Sequence, residues 1–200
     1  LPDYLDLDSG LEISKKYPKN FKDALILKEF SDDLAEIVAG RRVHPTTTAL
    51  GGFHREPKKT ELEKMVKAAP SALRAAENTV KLFLNLKYPQ IEMPLVFLSL
   101  FDGKEYATYE GEVVASNQGK KFKVKDYQKF IQEKIKNNST AKFGYHQGRG
   151  FMVGALARLN LQNKFLQPLA KKYFDLGRFD FQNPYYNNLA QAIETLHFME

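Results

Sequence analysis

Two of the chain's four histidines, His44 and His54, lie in one short stretch, GRRVHPTTTALGGFHREP, at residues 40–57. An imidazole can bind a metal, relay a proton or hold a backbone group in place. A zinc site normally takes three or four ligands, often including a helix-borne pair such as HExxH, and this stretch adds only Glu56. We therefore expect no metal site here. The structural alternative is that one imidazole braces the backbone of a glycine-rich turn.

No other pattern completes an active site. Gly51 and Gly52 lack the GxxxxGK[ST] or GxGxxG context of a phosphate-binding loop. The glycines of GRGFMVG, at 148–154, precede an extended-looking run, which reverses the strand–turn–helix order of dinucleotide binding. The residues alone predict no catalytic residue and no metal ligand.

Arg158 lies inside the apolar segment ALARLN. Burying a guanidinium without a partner is costly. Arg158 therefore either faces solvent at an edge or pairs with a carboxylate or carbonyl group, and we favour the pairing.

Composition excludes several classes of protein. The 200 residues include 30 basic and 24 acidic ones, a net charge of +6 that we interpret as spread over a solvated surface, without nucleic-acid binding. Cysteine is absent, which excludes disulfides and thiolate-bound metals within the chain. The longest apolar run, at 94–101, is too short to span a membrane, and no signal peptide is visible. We expect a cytoplasmic protein, and the two ends suggest a piece of a longer polypeptide.

The hydrophobic pattern predicts an α+β fold, mainly helical with a small, mostly antiparallel sheet insertion. Residues 1–90 form a helical part that carries the loop at 40–57. Its first long helix spans 20–39, with Asn20 as N-cap and Gly40 after its end. A capping box, Thr60 with Glu63, starts the next helix, which restarts at Pro70. Residues 91–125 form the sheet. Residues 126–200 form helices, the first through Tyr127 and Ile135, plus a strand at 150–161.

Several segments, in matching order along nearly the whole chain, resemble the large (alpha) subunit of nickel–iron hydrogenases of the soluble, cofactor-coupled group. FMVGALARLNL resembles that family's YxVGPLARLN, and LPDYL, DYQKFIQEKI, STAKFGYH and NNLAQAIETLHFME resemble further segments. Ala155 stands where the family usually has proline, and Gln191 where arginine is common. The opening loop resembles the family's GRxxHPxxxxGG signature, which falls on Gly40, Arg41, His44, Pro45, Gly51 and Gly52.

The resemblance implies an oxidoreductase that interconverts dihydrogen with protons and electrons. This chain resembles the middle of the catalytic subunit, so it would supply the framework around the metals and be inactive alone. In the family, nickel and iron are held by four cysteines from two CxxC motifs near the ends of the subunit. This chain has none, so no cofactor is expected in it.

The resemblance also implies partners. The loop would face the iron–sulfur small subunit, and a diaphorase-type subunit is a further candidate. His44 would orient hydrogen bonds near the electron path without binding metal, Arg41 would be an interface or packing cation, and Pro45 belongs to the same surface. Gly51 and Gly52 would let backbones approach closely. A loop brace stays open for His44 and is favoured for His54. Arg158 would belong to the same surroundings of the metal centre.

Two alternative functions remain, and one consequence for the isolated chain follows. The chain could be a cysteine-free, hydrogenase-like electron-transfer scaffold of a quinone-linked respiratory complex. A basic nucleic-acid-binding domain fits the pI but not the dispersed charge. Apolar helix faces that normally meet the rest of a subunit would make the isolated chain self-associate.

Overall fold

A computed structural model describes residues 1–200. The chain forms two compact units, Leu1–Lys87 with Phe198–Glu200, and Tyr88–His197. The first unit contains a 3₁₀ turn (Pro2–Leu5), then α1 (Gly10–Lys16), α2 (Pro18–Ala39), a two-stranded hairpin of β1 (Thr48–Ala49) and β2 (Gly52–Phe53), and α3 (Lys59–Leu84). The predicted α+β class is confirmed.

The two long helices of the first unit pack against each other. The helix α3 carries fully buried small residues about one turn apart, Ala72, Ala76 and Val80. One buried polar contact joins the helices, since the Asn78 amide donates to the Asp23 carboxylate at 3.0 Å. The loop at 40–57 therefore begins at the end of a helix that packs against α3.

The helix boundaries differ from prediction in two places. The first long helix begins at Pro18, whose fixed φ suits a first-turn position, and Tyr17 takes the N-cap place expected for Asn20. Pro70 does not restart a helix but lies inside the continuous α3, where a proline removes one hydrogen bond. The Thr60–Glu63 capping box is not formed, because α3 begins earlier and the Glu61 carboxylate accepts from the Lys58 N–H at 3.0 Å.

The second unit contains two three-stranded antiparallel sheets. The first comprises β3 (Leu98–Phe101), β4 (Val113–Ser116) and β5 (Lys121–Lys123), within the predicted range 91–125. A short helix α4 (Tyr127–Phe130) leads into the second, which comprises β6 (Ile131–Ile135), β7 (Lys142–His146) and β8 (Arg149–Gly150). The chain ends with α5 (Ala155–Gln162), α6 (Pro168–Leu176) and α7 (Asn187–Met199).

Two predicted elements in this unit are wrong. The expected helix through Ile135 stops at Phe130, because Ile131–Ile135 pairs with Lys142–His146 as a hairpin. The expected strand at 150–161 is mostly α5, because Gly154 serves as its N-cap and the helix formers Ala155, Leu156 and Ala157 follow. Ala155 is thus the first residue of a helix, a position that also accommodates the proline usual in the family it resembles.

The core of the second unit lies where α5 and α7 bring their apolar faces together with the segment before β3. Its fully buried side chains are Val96, Phe97, Leu156, Leu159, Leu189, Ile193 and Leu196. Backbone bonds fix that segment beside residue 152, since Met152 donates to Val96 O at 2.8 Å and Leu98 donates to Met152 O at 3.0 Å. Buried polar side chains lie on the same two helices, among them Gln162 on α5 and Glu194 on α7.

Candidate functional site

The loop at 40–57 folds back onto the end of α2. Gly40 ends the helix at φ 80°, in the left-handed region that favours glycine. The N–H groups of Thr46 and Thr47 both donate to Ala39 O, at 2.9 and 3.3 Å, and the buried Thr47 hydroxyl donates to Val38 O at 2.9 Å. A Cβ on Gly40 would lie 2.8 Å from Thr46 Oγ1. Glycine is therefore required here by both conformation and space.

A two-residue hairpin forms the tip of the loop. Leu50 and Gly51 make the turn between β1 and β2, and Gly51 has φ 79°. No atom lies within 4 Å of a Cβ built on Gly51 or Gly52, so the close approach expected at these glycines is not made by this chain. The conformation of the turn explains Gly51 by itself.

Arg55 ties the far end of the loop to the same helix terminus. Its Nη2 donates to Ile37 O at 3.1 Å and to Glu36 O at 3.5 Å, at the C-terminus of α2. Glu36 O also accepts from the Gly40 N–H at 3.0 Å. Arg42 adds an exposed pair of ion contacts at 3.0 Å, to Asp33 and Glu36. The hydrogen bond that Arg42 donates to the Glu36 carboxylate raises the pKa of Arg42 above its ordinary value.

The structure places the predicted loop residues on the surface. Arg41, His44, Pro45 and His54 are exposed, and His44 has φ 60°. Neither imidazole forms a hydrogen bond, and only the backbone N–H of His54 is used, donating to Thr47 O at 2.7 Å. The expectation that a histidine braces this loop is therefore wrong. Thr47 and Arg55 do so, because their side chains reach the open carbonyl groups of α2.

A surface cavity of about 310 Å³ lies beside the loop, lined in part by Glu36, Arg55, Glu61 and Lys64. Its carboxylates face cationic neighbours, which makes the lining mixed in charge. Nowhere in the chain do three or more histidine, aspartate or glutamate side chains gather in a way that could hold a metal ion.

Arg158 is paired in the second unit, as favoured from the sequence. Its Nε and Nη2 each donate to one carboxylate oxygen of Glu194 on α7, both at 2.6 Å. The Tyr106 hydroxyl donates to the same carboxylate at 2.6 Å. Hydrogen bonding to Glu194 raises the pKa of Arg158, and burial together with the Glu194 charge raises the pKa of Tyr106 well above its ordinary value. The three groups therefore form a charge-assisted network joining α5, α7 and the segment after β3.

The buried amide of Gln162, also on α5, makes a separate set of hydrogen bonds. Gln162 accepts from the Ala107 N–H at 2.8 Å and donates to Ser99 Oγ at 2.7 Å. A cavity of about 200 Å³ next to it is lined in part by Ser99, Gly154 and Arg158. These bonds hold β3 and the following segment against α5, the helix that carries Arg158.

Sequence reasoning also missed the buried imidazole of His146, at the end of β7. The ring is 1% exposed and stacks beside Phe122, with centroids 5.8 Å apart. Its Nδ1 lies 3.0 Å from Phe130 O, while Nε2 has no partner. A histidine among the apolar residues of a strand was the available signal, and its lone spacing predicted nothing.

Comparison with known proteins identifies the class. No family model matches the chain. It is 34% identical to the sulfhydrogenase 1 subunit alpha of Pyrococcus furiosus over 204 residues, which is 100% of this chain and 47% of that protein. It is 29% identical to the sulfhydrogenase 2 subunit alpha of the same organism, covering 100% of this chain and 46% of that one. This chain is therefore homologous to part of the alpha (large) subunit of hydrogenases, and the resemblance found in its motifs is confirmed.

The fold agrees with that assignment. The structure resembles a chain in the crystal structure of an NAD⁺-reducing [NiFe]-hydrogenase in the H₂-reduced state, with a TM-score of 0.84 at 19% identity. That match covers 100% of this chain and 51% of the other. The chain thus spans about half the length of the curated relatives that it matches.

The residues present do not fit the metal centre that this family implies. A nickel–iron centre held by cysteine thiolates needs sulfur ligands, and these 200 residues contain no cysteine. The described side chains offer no substitute group of ligands. These 200 residues therefore supply no thiolate ligand for such a centre.

Proposed function

We propose that this chain is the central framework of the catalytic large subunit of a nickel–iron hydrogenase, which interconverts dihydrogen with protons and electrons. The supporting observation is similarity to a sulfhydrogenase alpha subunit along 100% of the chain, with the family's motifs in order. In the whole protein, thiolates outside this segment hold the nickel and iron, and the isolated chain is inactive.

In this proposal the loop at 40–57 faces the iron–sulfur small subunit. The exposure of Arg41, His44 and Pro45, and the lack of internal hydrogen bonds at the first two, support a surface that is available to a partner. Thr47 and Arg55 would fix the loop from behind, so that His44 is presented in one position. A diaphorase-type subunit is a further proposed partner, supported by the NAD⁺-reducing enzyme among the structural neighbours.

The network of Arg158, Glu194 and Tyr106 would act as a rigid support. Its groups satisfy one another, so that Arg158 positions α5 against α7 and does not touch a reacting group. A cytoplasmic location is part of this proposal. No helix in the chain is both long and apolar enough to cross a membrane.

Self-association of the isolated chain stays a prediction. Several large apolar side chains of α2 are exposed, among them Leu25 at 51% and Val38 at 42%. Sedimentation velocity over a range of concentrations would test this, and a strict monomer at the highest concentration would contradict it.

The experiment that tests the proposed function is a comparison of the intact gene product with the isolated chain. The intact product is purified without oxygen together with its bound subunits, and H₂-dependent reduction of a viologen dye is measured. We expect activity from the intact product and none from the 200-residue chain. An inactive, cysteine-free gene product would favour the respiratory-complex alternative instead.

A further inference from the structure

The net positive charge of the chain is concentrated in one part of the second unit. Residues 120–149 contain nine of the 30 basic residues and only two of the 24 acidic ones. The rest of the chain keeps 21 basic and 22 acidic residues and is close to neutral. The expectation of dispersed charge is therefore wrong for this segment, which holds the whole net charge of the chain.

Most of these cations have no carboxylate partner. The two acidic residues already pair with neighbouring lysines, Asp126 with Lys129 at 2.7 Å and Glu133 with Lys142 at 3.1 Å. All nine basic residues are exposed. Seven of them form no ion pair within the chain: Lys120, Lys121, Lys123, Lys125, Lys134, Lys136 and Arg149.

The hairpin of β6 and β7 arranges two of these lysines on one face. Gln132 lies opposite Tyr145, and Lys134 opposite Phe143, so all four side chains share a face of the sheet. The Lys134 ammonium lies 5.0 Å from the centre of the Tyr145 ring, and that of Lys136 lies 4.2 Å from the Phe143 ring. We call Gln132, Lys134, Lys136, Phe143 and Tyr145 the basic face.

Nothing in the chain covers the charged groups of the basic face. Lys134 and Lys136 are exposed, and the two rings beneath them are half-buried. The opposite face of the same hairpin carries the buried His146, which stacks beside Phe122. The opposite face therefore packs on the unit at its His146 end, and the basic face presents ammonium groups to its surroundings.

We propose that the basic face is a docking surface for a protein whose own surface carries clustered carboxylates. Charge complementarity selects this partner, because unpaired ammonium groups attract carboxylates and speed encounter. Nucleic-acid surfaces of this kind use free aromatic rings for base stacking, whereas here the chain's own lysines lie over the rings. The inference does not depend on the proposed hydrogenase function.

The test measures binding of the full chain to a fluorescent 20-residue polyglutamate by anisotropy across a salt series. The variant Lys134→Glu/Lys136→Glu is compared with Lys19→Glu/Lys22→Glu, a control on the first turns of α2 that changes the net charge equally. The neutral pair Lys134→Gln/Lys136→Gln is the second variant, and circular dichroism checks that each protein folds. Labelled oligo-dT of 20 nucleotides is titrated in parallel.

We expect the wild-type chain to bind polyglutamate with an affinity that falls as salt rises. The charge-reversed variant Lys134→Glu/Lys136→Glu should weaken binding about tenfold or more. The neutral pair should weaken it severalfold, and the α2 control less than twofold. Equal losses of affinity in the charge-reversed variant and the α2 control would overturn the proposal, because polyglutamate would then respond only to the net charge of the chain. Absent polyglutamate binding, or tighter binding of oligo-dT at the same salt, would overturn it as well.

Discussion

Arg158 and Glu194 meet side-on, with two parallel hydrogen bonds of 2.6 Å between guanidinium and carboxylate. The Glu194 side chain is 9% exposed and that of Arg158 27%, so the pair is largely withdrawn from water. A carboxylate on the inner face of α7 is tolerable only because Arg158 and Tyr106 together satisfy it. The pair therefore couples the positions of α5 and α7.

Breaking this pair on one side should destabilise the chain strongly. Arg158→Leu or Glu194→Leu leaves the other charge buried and unpaired, and we expect a loss of about 3 kcal/mol in the free energy of unfolding. The double variant should cost clearly less than the sum of the single ones. Urea unfolding of all four proteins measures this coupling.

The exposed pair of Glu133 and Lys142 is the matched control. Their side chains are 61% and 63% exposed, so the same cycle made with alanine should give a coupling of about 0.5 kcal/mol or less. Similar coupling at the two pairs would mean that the Arg158–Glu194 pair gains nothing from its burial.

Tyr106 should make stability fall at high pH. Its pKa is raised in the folded chain from an ordinary value of 10.0, so the folded state holds the phenol proton when the unfolded state has released it. The contribution is complete below about pH 10 and is lost as the pH rises beyond that, by about 1.4 kcal/mol per pH unit. Urea unfolding between pH 8 and 11 measures the slope.

The variant Tyr106→Phe isolates this effect from the other tyrosines. It should be less stable by about 2 kcal/mol at neutral pH, because a hydrogen bond to a charged group is lost. Its stability should also fall less steeply than that of the wild type above pH 10. Parallel pH profiles for the two proteins would contradict the role assigned to the phenol.

Gly40→Ala should weaken the junction between α2 and the loop. The new Cβ would meet Thr46 Oγ1 at 2.8 Å and Thr47 Cγ2 at 2.9 Å in a left-handed conformation, and we expect a loss of about 2 kcal/mol. Gly10→Ala, where no atom lies within 4 Å, should be neutral or stabilising by about 0.5 kcal/mol. Thermal unfolding compares the two variants. Equal changes in stability would show that the loop does not require glycine at position 40.

His44 should matter to function and hardly to stability. The side chain is exposed and makes no hydrogen bond in the chain, so His44→Ala should change the free energy of unfolding by less than about 0.5 kcal/mol. If the loop faces the small subunit, the same change in the intact enzyme should lower H₂-dependent dye reduction about tenfold. His54→Ala is the control, and an equal loss in both would argue against a specific role for His44.

Local patterns predicted the parts of the fold that local forces decide. The apolar spacing of α2 and the glycine after it were enough to predict that this helix ends at Ala39. The helix expected through Ile135 was wrong because residues four apart, such as Ile131 and Ile135, share a face in a strand as well as in a helix. The choice was made by pairing with Lys142–His146, which no local pattern reveals.

The candidate site was predictable to a similar degree. An arginine inside an apolar segment indicated a partner, and the charged Glu194 between Ile193 and Leu196 was an available signal for which one. The roles of Thr47 and Arg55 could not be predicted, because they depend on where the loop returns to the end of α2. The glycine and histidine pattern indicated an ordered loop but not what holds it.

Nickel content is the most direct test of the assignment to a hydrogenase large subunit. The intact gene product and the 200-residue chain are purified in parallel without oxygen, and their metals are measured by elemental analysis. We predict about one nickel per intact polypeptide and no stoichiometric nickel in the chain, which lacks cysteine. An intact product free of nickel, or tight stoichiometric nickel in the chain itself, would contradict the account.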